Sequence, residues 1–321
     1  MTPFLPAGYL SNPQIQTILA SSRFRSWGRN PMVAASRPIE LEVAGGIRLL
    51  GSSATHRRQE AKGLVILLHG WEGSIDSTYI LCTGRFLFNH GYDVFRLNFR
   101  DHGGSQHLNR GMFYAVLLEE IRQAVLQVAE QARPLSVYLA GFSLGGNFVL
   151  RFLRACGARG TDLIQHAVAV SPVLNPGAST RCVDGHPLIR RYFLRKWKRS
   201  LQIKAALFPD RYDFDDILKM KTIYAITAAL LERYSDYDTV DGYFADYAVR
   251  GDDLVATPLP STIIVAEDDP IIPPGDFHQL KLHPNTRLVV HRHGGHNGFL
   301  FGWPLRSWYD FEMLRLFGNC N

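Results

Sequence analysis

The chain has 321 residues, 46% of them hydrophobic and 20% charged, with a formal net charge of +6. That length and apolar content can bury a large core, so a single domain over residues 1–321 is expected and no second domain is required. Met1-Thr2-Pro3-Phe4-Leu5-Pro6-Ala7-Gly8 is broken by prolines and a glycine, and no apolar run approaches the ~20 residues that span a bilayer, so neither a secretory leader nor a spanning helix is expected and a cytoplasmic protein is predicted. The four cysteines, Cys82, Cys156, Cys182 and Cys320, have neither C-x-x-C nor metal spacing, so they predict a reduced, metal-free state with no cofactor.

In chain order, apolar periodicity predicts a strand at 64–68, a helix at 77–90, a strand at 92–98 and a helix at 112–131. A strand at 135–140, a helix at 145–156 and a strand at 164–170 follow. Such alternation predicts a mostly parallel central sheet with helices on both faces. The rhythm breaks at Ser171-Pro172-Val173-Leu174-Asn175-Pro176-Gly177, and helical patterns run on until Pro258-Leu259-Pro260. An excursion leaving from the carboxyl end of a strand tends to cover whatever sits there, so a helical cap is expected at about 175–250. Within it, Arg190, Arg191, Arg195, Lys196, Lys198 and Arg199 are interleaved with Ile189, Tyr192, Phe193, Leu194, Trp197 and Leu201. This pattern fits a solvated helix whose apolar side packs inward, and also transient contact with an anionic membrane surface; nucleic acid is not expected as a partner. The tyrosines between 224 and 247 are read as cap packing.

Gly141-Phe142-Ser143-Leu144-Gly145 joins the strand at 135–140 to the helix at 145–156, so G-x-S-x-G occurs at a strand-turn-helix junction. A sharp turn there exposes the Ser143 hydroxyl above the sheet, and glycines on either side remove colliding Cβ atoms. A serine hydroxyl is a weak nucleophile at neutral pH, so the motif calls for a histidine to take its proton and a carboxylate to orient that histidine. Residues 261–266 read as a buried strand running into Glu267-Asp268-Asp269-Pro270-Ile271-Ile272-Pro273. Residues 287–291 read as a last strand before His293-Gly294-Gly295-His296-Asn297-Gly298-Phe299. Asp269 is preferred to Asp268 because Asp269 and Pro273 form a D-x-x-x-P turn. His296 is preferred to His291, which belongs to the strand, and to His293, because it lies beyond two glycines that let the loop fold back towards Ser143. The order Ser, Asp, His is that of the α/β-hydrolase fold. An oxyanion site is expected from the backbone N–H groups of Leu144 and of Trp71, in the loop His69-Gly70-Trp71-Glu72-Gly73-Ser74, with His69 holding that loop rather than acting as a second base.

Four segments resemble the signature segments of the YheT-like predicted hydrolases: His69-Gly70-Trp71-Glu72-Gly73-Ser74, Gly141-Phe142-Ser143-Leu144-Gly145-Gly146-Asn147, Asp268-Asp269-Pro270 and His293-Gly294-Gly295-His296-Asn297-Gly298-Phe299. The likeness extends to residues 10–19, to Asn98-Phe99-Arg100 and to Gly103-Gly104-Ser105, and is weak between about 175 and 250. It implies an α/β-hydrolase with Ser143, Asp269 and His296 in the triad positions, related to eukaryotic medium-chain fatty-acid ester synthases, esterases and phospholipases. The expectation is a serine esterase of short- to medium-chain acyl esters. An ester synthase or thioesterase would use the same residues, and a non-catalytic binding protein on this scaffold is the alternative of another class.

Overall fold

In the run Leu64–Leu68, Leu64, Ile66 and Leu68 belong to one hydrophobic core and Val65 and Leu67 to another, because successive side chains of a strand leave on opposite faces. A strand buried on both faces reads as an unbroken apolar run, as this one does. The structure, a computed structural model, describes residues 4–56, 61–159 and 161–318; Met1, Thr2, Pro3 and Cys320 lie outside the described residues.

The N-terminal part carries helices α1 (Pro13–Ala20) and α2 (Pro31–Ala35), then strands β1 (Ser36–Val43) and β2 (Ile47–Ala54). The alternating portion follows as β3 (Leu64–Leu68), α3 (Thr78–Asn89), β4 (Asp93–Leu97), α4 (Leu118–Gln131), β5 (Val137–Phe142), α5 (Leu144–Cys156) and β6 (His166–Val170). Four helices then interrupt the sheet: α6 (Pro176–Gly185), α7 (Pro187–Leu207), α8 (Ile223–Tyr234) and α9 (Val240–Tyr247). The chain returns through β7 (Ser261–Ala266), the single turn α10 (Gly275–His278) and β8 (Thr286–His291). It ends in the short pair β9 (Leu300–Phe301) and β10 (Arg306–Ser307) and in α11 (Trp308–Gly318).

The eight-stranded sheet has the order β1-β2-β4-β3-β5-β6-β7-β8. The pairs from β4 to β8 are parallel, whereas β1 and β2 form an antiparallel hairpin that adds to β4. One face is covered by α4 and α5, whose core continues into the helical insertion; the other is covered by α3 and α11. Gly51 in β2 has a packing reason, since a Cβ there would stand 2.3 Å from the Phe95 ring of β4.

Two of the differences from the sequence expectation have a plain physical reason. The hairpin β1–β2 was not anticipated, because Ser36–Val43 contains Pro38 and buries only two of its residues, Leu41 and Val43. Helix α4 begins at Leu118 rather than at 112. Residues 112–117 are taken up by other bonds: the Phe113 N–H donates to Asp101, the Ala115 N–H donates to the Tyr243 hydroxyl, and the carbonyls of Ala115 and Val116 accept from Arg151.

The insertion is fastened at two points. In α5, the Asn147 side chain donates to the carbonyls of Val173 and Tyr247, tying both ends of the helical excursion to the turn below it. In α7, the fully buried Lys204 donates to Asp101 at 2.8 Å and to the carbonyls of Gln106, Asn109 and Gly111. A buried ammonium is tolerated only when paired and hydrogen-bonded, and deleting one partner strands the other. Among the described residues no helix is long and apolar enough to cross a membrane. Lys204→Met should therefore lower the free energy of unfolding by about 3–5 kcal/mol in urea. The double variant Lys204→Met/Asp101→Asn should recover part of that loss; a single-variant loss below about 1 kcal/mol would show that the pair does not anchor the insertion.

Candidate active site

Ser143 stands between β5 and α5 with φ +55° and ψ −116°, a backbone conformation that side chains other than glycine rarely adopt. What holds it there is close backbone packing. A Cβ at Gly141 would lie 2.2 Å from the Gly145 carbonyl oxygen, and one at Gly145 would lie 2.4 Å from that of Leu68. The first turn of α5 is thus pressed against the end of β3, and only glycine fits. The Ser143 N–H donates to the Val170 carbonyl at the end of β6, which fixes the turn from the other side.

Asp269 and His296 meet. The His296 Nδ1 is 2.9 Å from Asp269 Oδ2, and both side chains are buried. The other carboxylate oxygen accepts from the N–H groups of Ile271 and Ile272, so the turn after β7 aims the carboxylate at the ring. With Nδ1 engaged, Nε2 is the nitrogen left to take a proton. The histidine loop is laid across the strand ends: the Asn297 N–H donates to the Ser171 hydroxyl just beyond β6, and the Tyr309 hydroxyl donates to the Asn297 carbonyl. Among the described residues no hydrogen bond joins Ser143 to His296, and such bonds are commonly long in a site without substrate.

Asp268 does more than solvate its turn. Its Oδ1 accepts from the Gly295 N–H at 2.8 Å and its Oδ2 lies 3.3 Å from His293 Nδ1, so it holds the backbone of the loop whose histidine Asp269 holds. His291 ends β8 with its ring edge-on to Trp308, away from that exchange.

Beside Ser143, the loop after β3 approaches so closely that a Cβ on Gly70 would stand 3.1 Å from the serine Cβ. The N–H groups of Trp71 and Leu144 have no hydrogen-bond acceptor among the described residues, although the neighbouring amides of Gly70, Glu72 and Gly73 are all engaged. His69 Nε2 accepts from the Phe99 N–H, which leaves Nδ1 to donate to the Gly70 carbonyl. It is a fixed, neutral strut, with burial and the neighbouring His102 holding its pKa well below the ordinary histidine value. His102 repeats the arrangement, accepting from the Glu72 N–H and donating to the Arg100 carbonyl, and burial pulls it down to about 4.

Ser143 lines a cavity of about 150 Å³ under the inserted helices. Val173, Ile223, Leu231 and Phe244 supply apolar walls, and Glu72, Asp101, Ser200 and Lys204 give one region a polar lining. Burial is the chief cause that pushes the Glu72 carboxyl up to about 8. Trp71 stacks on Phe193 and meets Trp197 edge-on, so α7 presses directly on the loop that carries the free amide.

Three contributions to the site had no signal strong enough in the sequence. Thr17 Oγ1 accepts the His296 N–H, and Gln16 binds both the N–H and the carbonyl of Leu300, so α1 supports the histidine loop from 279 residues away. Ser171, at φ +43°, supports the same loop from β6.

A model of the alpha/beta hydrolase family matches residues 65–305. The chain belongs to that family. Among known hydrolases, it is 26% identical over 273 residues to human Phospholipase ABHD3, covering 83% of this chain and 66% of the relative. To the Monoacylglycerol lipase of Saccharomyces cerevisiae it is 22% identical over 268 residues, covering 80% and 59%. The chain thus spans somewhat less than two thirds of the length of these relatives. Its fold resembles that of the Pyrococcus furiosus esterase Pf2001, with a TM-score of 0.56 at 16% identity over 91% of this chain and 93% of that one.

The neutral strut at His102 gives this protein a pH signature. Its folded pKa is depressed, so the stability it contributes is present above about 6.5, the ordinary histidine value, and is lost as pH falls towards 4. Across that window the urea stability of the wild type should fall faster than that of His102→Gln, by about 1.4 kcal/mol per pH unit. Parallel pH profiles for the two proteins would mean that His102 does not stay neutral in the fold.

Proposed function

We propose that the protein is a serine hydrolase cleaving carboxylic esters, of short to medium acyl chain length, through an acyl-enzyme. The observation that carries this reading is the buried Asp269–His296 pair at the same sheet edge as the strained Ser143, beside an apolar cavity that Ser143 lines. Within the family we assign the chain to the YheT-like branch, on the segments around Trp71, Ser143, Asp269 and His296 and on residues 10–19. The helices between β6 and β7 act as a cap on a single domain. The names of the phospholipase and monoacylglycerol lipase relatives support a lipid-like ester rather than a sugar or peptide.

In this reading Ser143 Oγ attacks the ester carbonyl while His296 Nε2 accepts its proton, and Asp269 steadies the imidazolium. The N–H groups of Trp71 and Leu144 receive the oxyanion, a contribution of about 3–4 kcal/mol for each donor. His296 then protonates the departing alcohol, and water activated by the same histidine releases the acid.

Ser143→Ala or His296→Ala should cut turnover of an acyl ester about 10⁴-fold or more while circular dichroism shows the fold retained. Asp269→Asn should be nearly as damaging. Asp268→Asn should be milder, since Asp268 grips the loop rather than the ring. The opposite ranking of the two aspartates would overturn the acid assignment. Stoichiometric modification of Ser143 by a fluorophosphonate is expected; an unlabelled serine would favour a non-catalytic binding protein.

The apolar walls predict a dependence on chain length. Each buried methylene contributes about 0.8 kcal/mol, so kcat/KM for a series of acyl esters should rise roughly fourfold per added carbon until the cavity is filled. Efficiency that is greatest for acetyl esters and declines steadily with length would indicate a small closed pocket. Formation of a new ester when a primary alcohol is supplied would extend the same chemistry to acyl transfer.

A further inference from the structure

Helix α1 is built inside out. It buries Gln16, whose side chain is spent on Leu10 and Leu300, and exposes Ile15 and Ile18, the latter to 61%. Burying an amide while leaving isoleucine in water reverses the usual ordering, so the helix gains nothing by this face unless something apolar meets it. The surrounding segment repeats the pattern: Leu5, Tyr9 and Phe24 are exposed, and Trp27 is 85% exposed. Leu300, held by Gln16, lies three residues before Trp303, itself 80% exposed.

The charge of this segment identifies the occupant. Residues 1–39 contain no aspartate or glutamate and four arginines, of which Arg23, Arg29 and Arg37 are exposed and Arg25 is buried against Ala20 and Ser307. Asp76, near Ser21 through the Thr78 hydroxyl, is paired with Arg96. Helix α7 offers a second acid-free stretch, residues 185–209, that exposes Leu188 and Tyr192 beside Arg191, Arg195 and Arg199. Exposed aliphatic and aromatic side chains among arginines that have no ion pair among the described residues suit a surface that is apolar beneath and anionic on top, which is an acidic lipid bilayer.

We infer that the N-terminal segment around Ile15, Ile18, Phe24 and Trp27 docks the protein on an anionic lipid surface, with the outer face of α7 as a second contact. These two elements also touch the two working loops: α1 holds the His296 loop through Thr17, and α7 packs on Trp71. Docking therefore brings to the bilayer the two elements that brace the Ser143 site, a consequence for catalysis that rests on the hydrolase reading, whereas the docking itself does not.

Sedimentation of the full chain with phosphatidylcholine vesicles containing 30% phosphatidylglycerol should give at least tenfold stronger uptake than with pure phosphatidylcholine. Ile18→Ser/Trp27→Ser should reduce that uptake about tenfold, and Arg23→Gln/Arg29→Gln should lower the preference for phosphatidylglycerol. Both variants should hydrolyse a water-soluble short-chain ester within twofold of wild type. Absence of such hydrolysis in the wild type would remove the hydrolase reading and leave the docking result standing. Wild-type uptake no greater than background would overturn the docking site, as would uptake unchanged in Ile18→Ser/Trp27→Ser. Concentration-dependent self-association, lost in that variant and without vesicle uptake, would also overturn it and assign the face to a second copy of the chain.

Discussion

Everything at the sheet edge depends on the contact between the first turn of α5 and the end of β3. Gly145 lies so close to the Leu68 and His69 carbonyls that no side chain fits between them. That approach bends the chain at Ser143 into a conformation it would not hold alone, and it sets the distance from Ser143 to the loop beginning at His69. The strain is sustained because three backbone hydrogen bonds close around it: the Ser143 N–H donates to the Val170 carbonyl, and the Ser143 carbonyl accepts from the N–H groups of Asn147 and Val173. The cost of the turn is met by the packing of the whole sheet, so the fold itself holds the hydroxyl in place.

Two neighbouring aspartates divide the support of one loop. Asp269 turns inwards to a histidine ring, and Asp268, one peptide away, grips the backbone that carries this ring. Two neutral histidines likewise divide the support of the opposite wall, His69 bracing the Gly70 turn and His102 the Glu72 amide. Both are kept uncharged by burial, so they hold geometry without adding positive charge beside His296.

Much of this was legible in the amino-acid order because it rests on local rules. Glycines on either side of a serine at a strand-helix junction, buried apolar runs and acidic or glycine-rich loops at strand ends all have short-range causes. The strands at 64–68 and 261–266 coincide with their apolar runs. The less legible parts rest on distant partners. The β1–β2 hairpin is an edge addition containing a proline, and a half-exposed edge strand leaves a weak pattern. Lys204 sits in a basic stretch like any other, and only the loop at 101–111 folding around it makes it an anchor. Helix α11 did carry a signal, with Tyr309, Met313 and Phe317 spaced four apart and all buried. Helix α1 hides its role because its inward face is polar.

The bond between Thr17 and His296 has a consequence for the order in which the protein comes into being. Helix α1 and the loop that carries His296, 279 residues later in the sequence, complete the same corner of the molecule. Domains commonly begin folding from the N-terminal side during synthesis, so the turn at Ser143 can form while α1 still waits for its partner. A nascent chain can therefore expose its serine but has no seated histidine beside it. Only when the His296 loop has also emerged, closing a contact between residues 279 positions apart, is the whole constellation assembled.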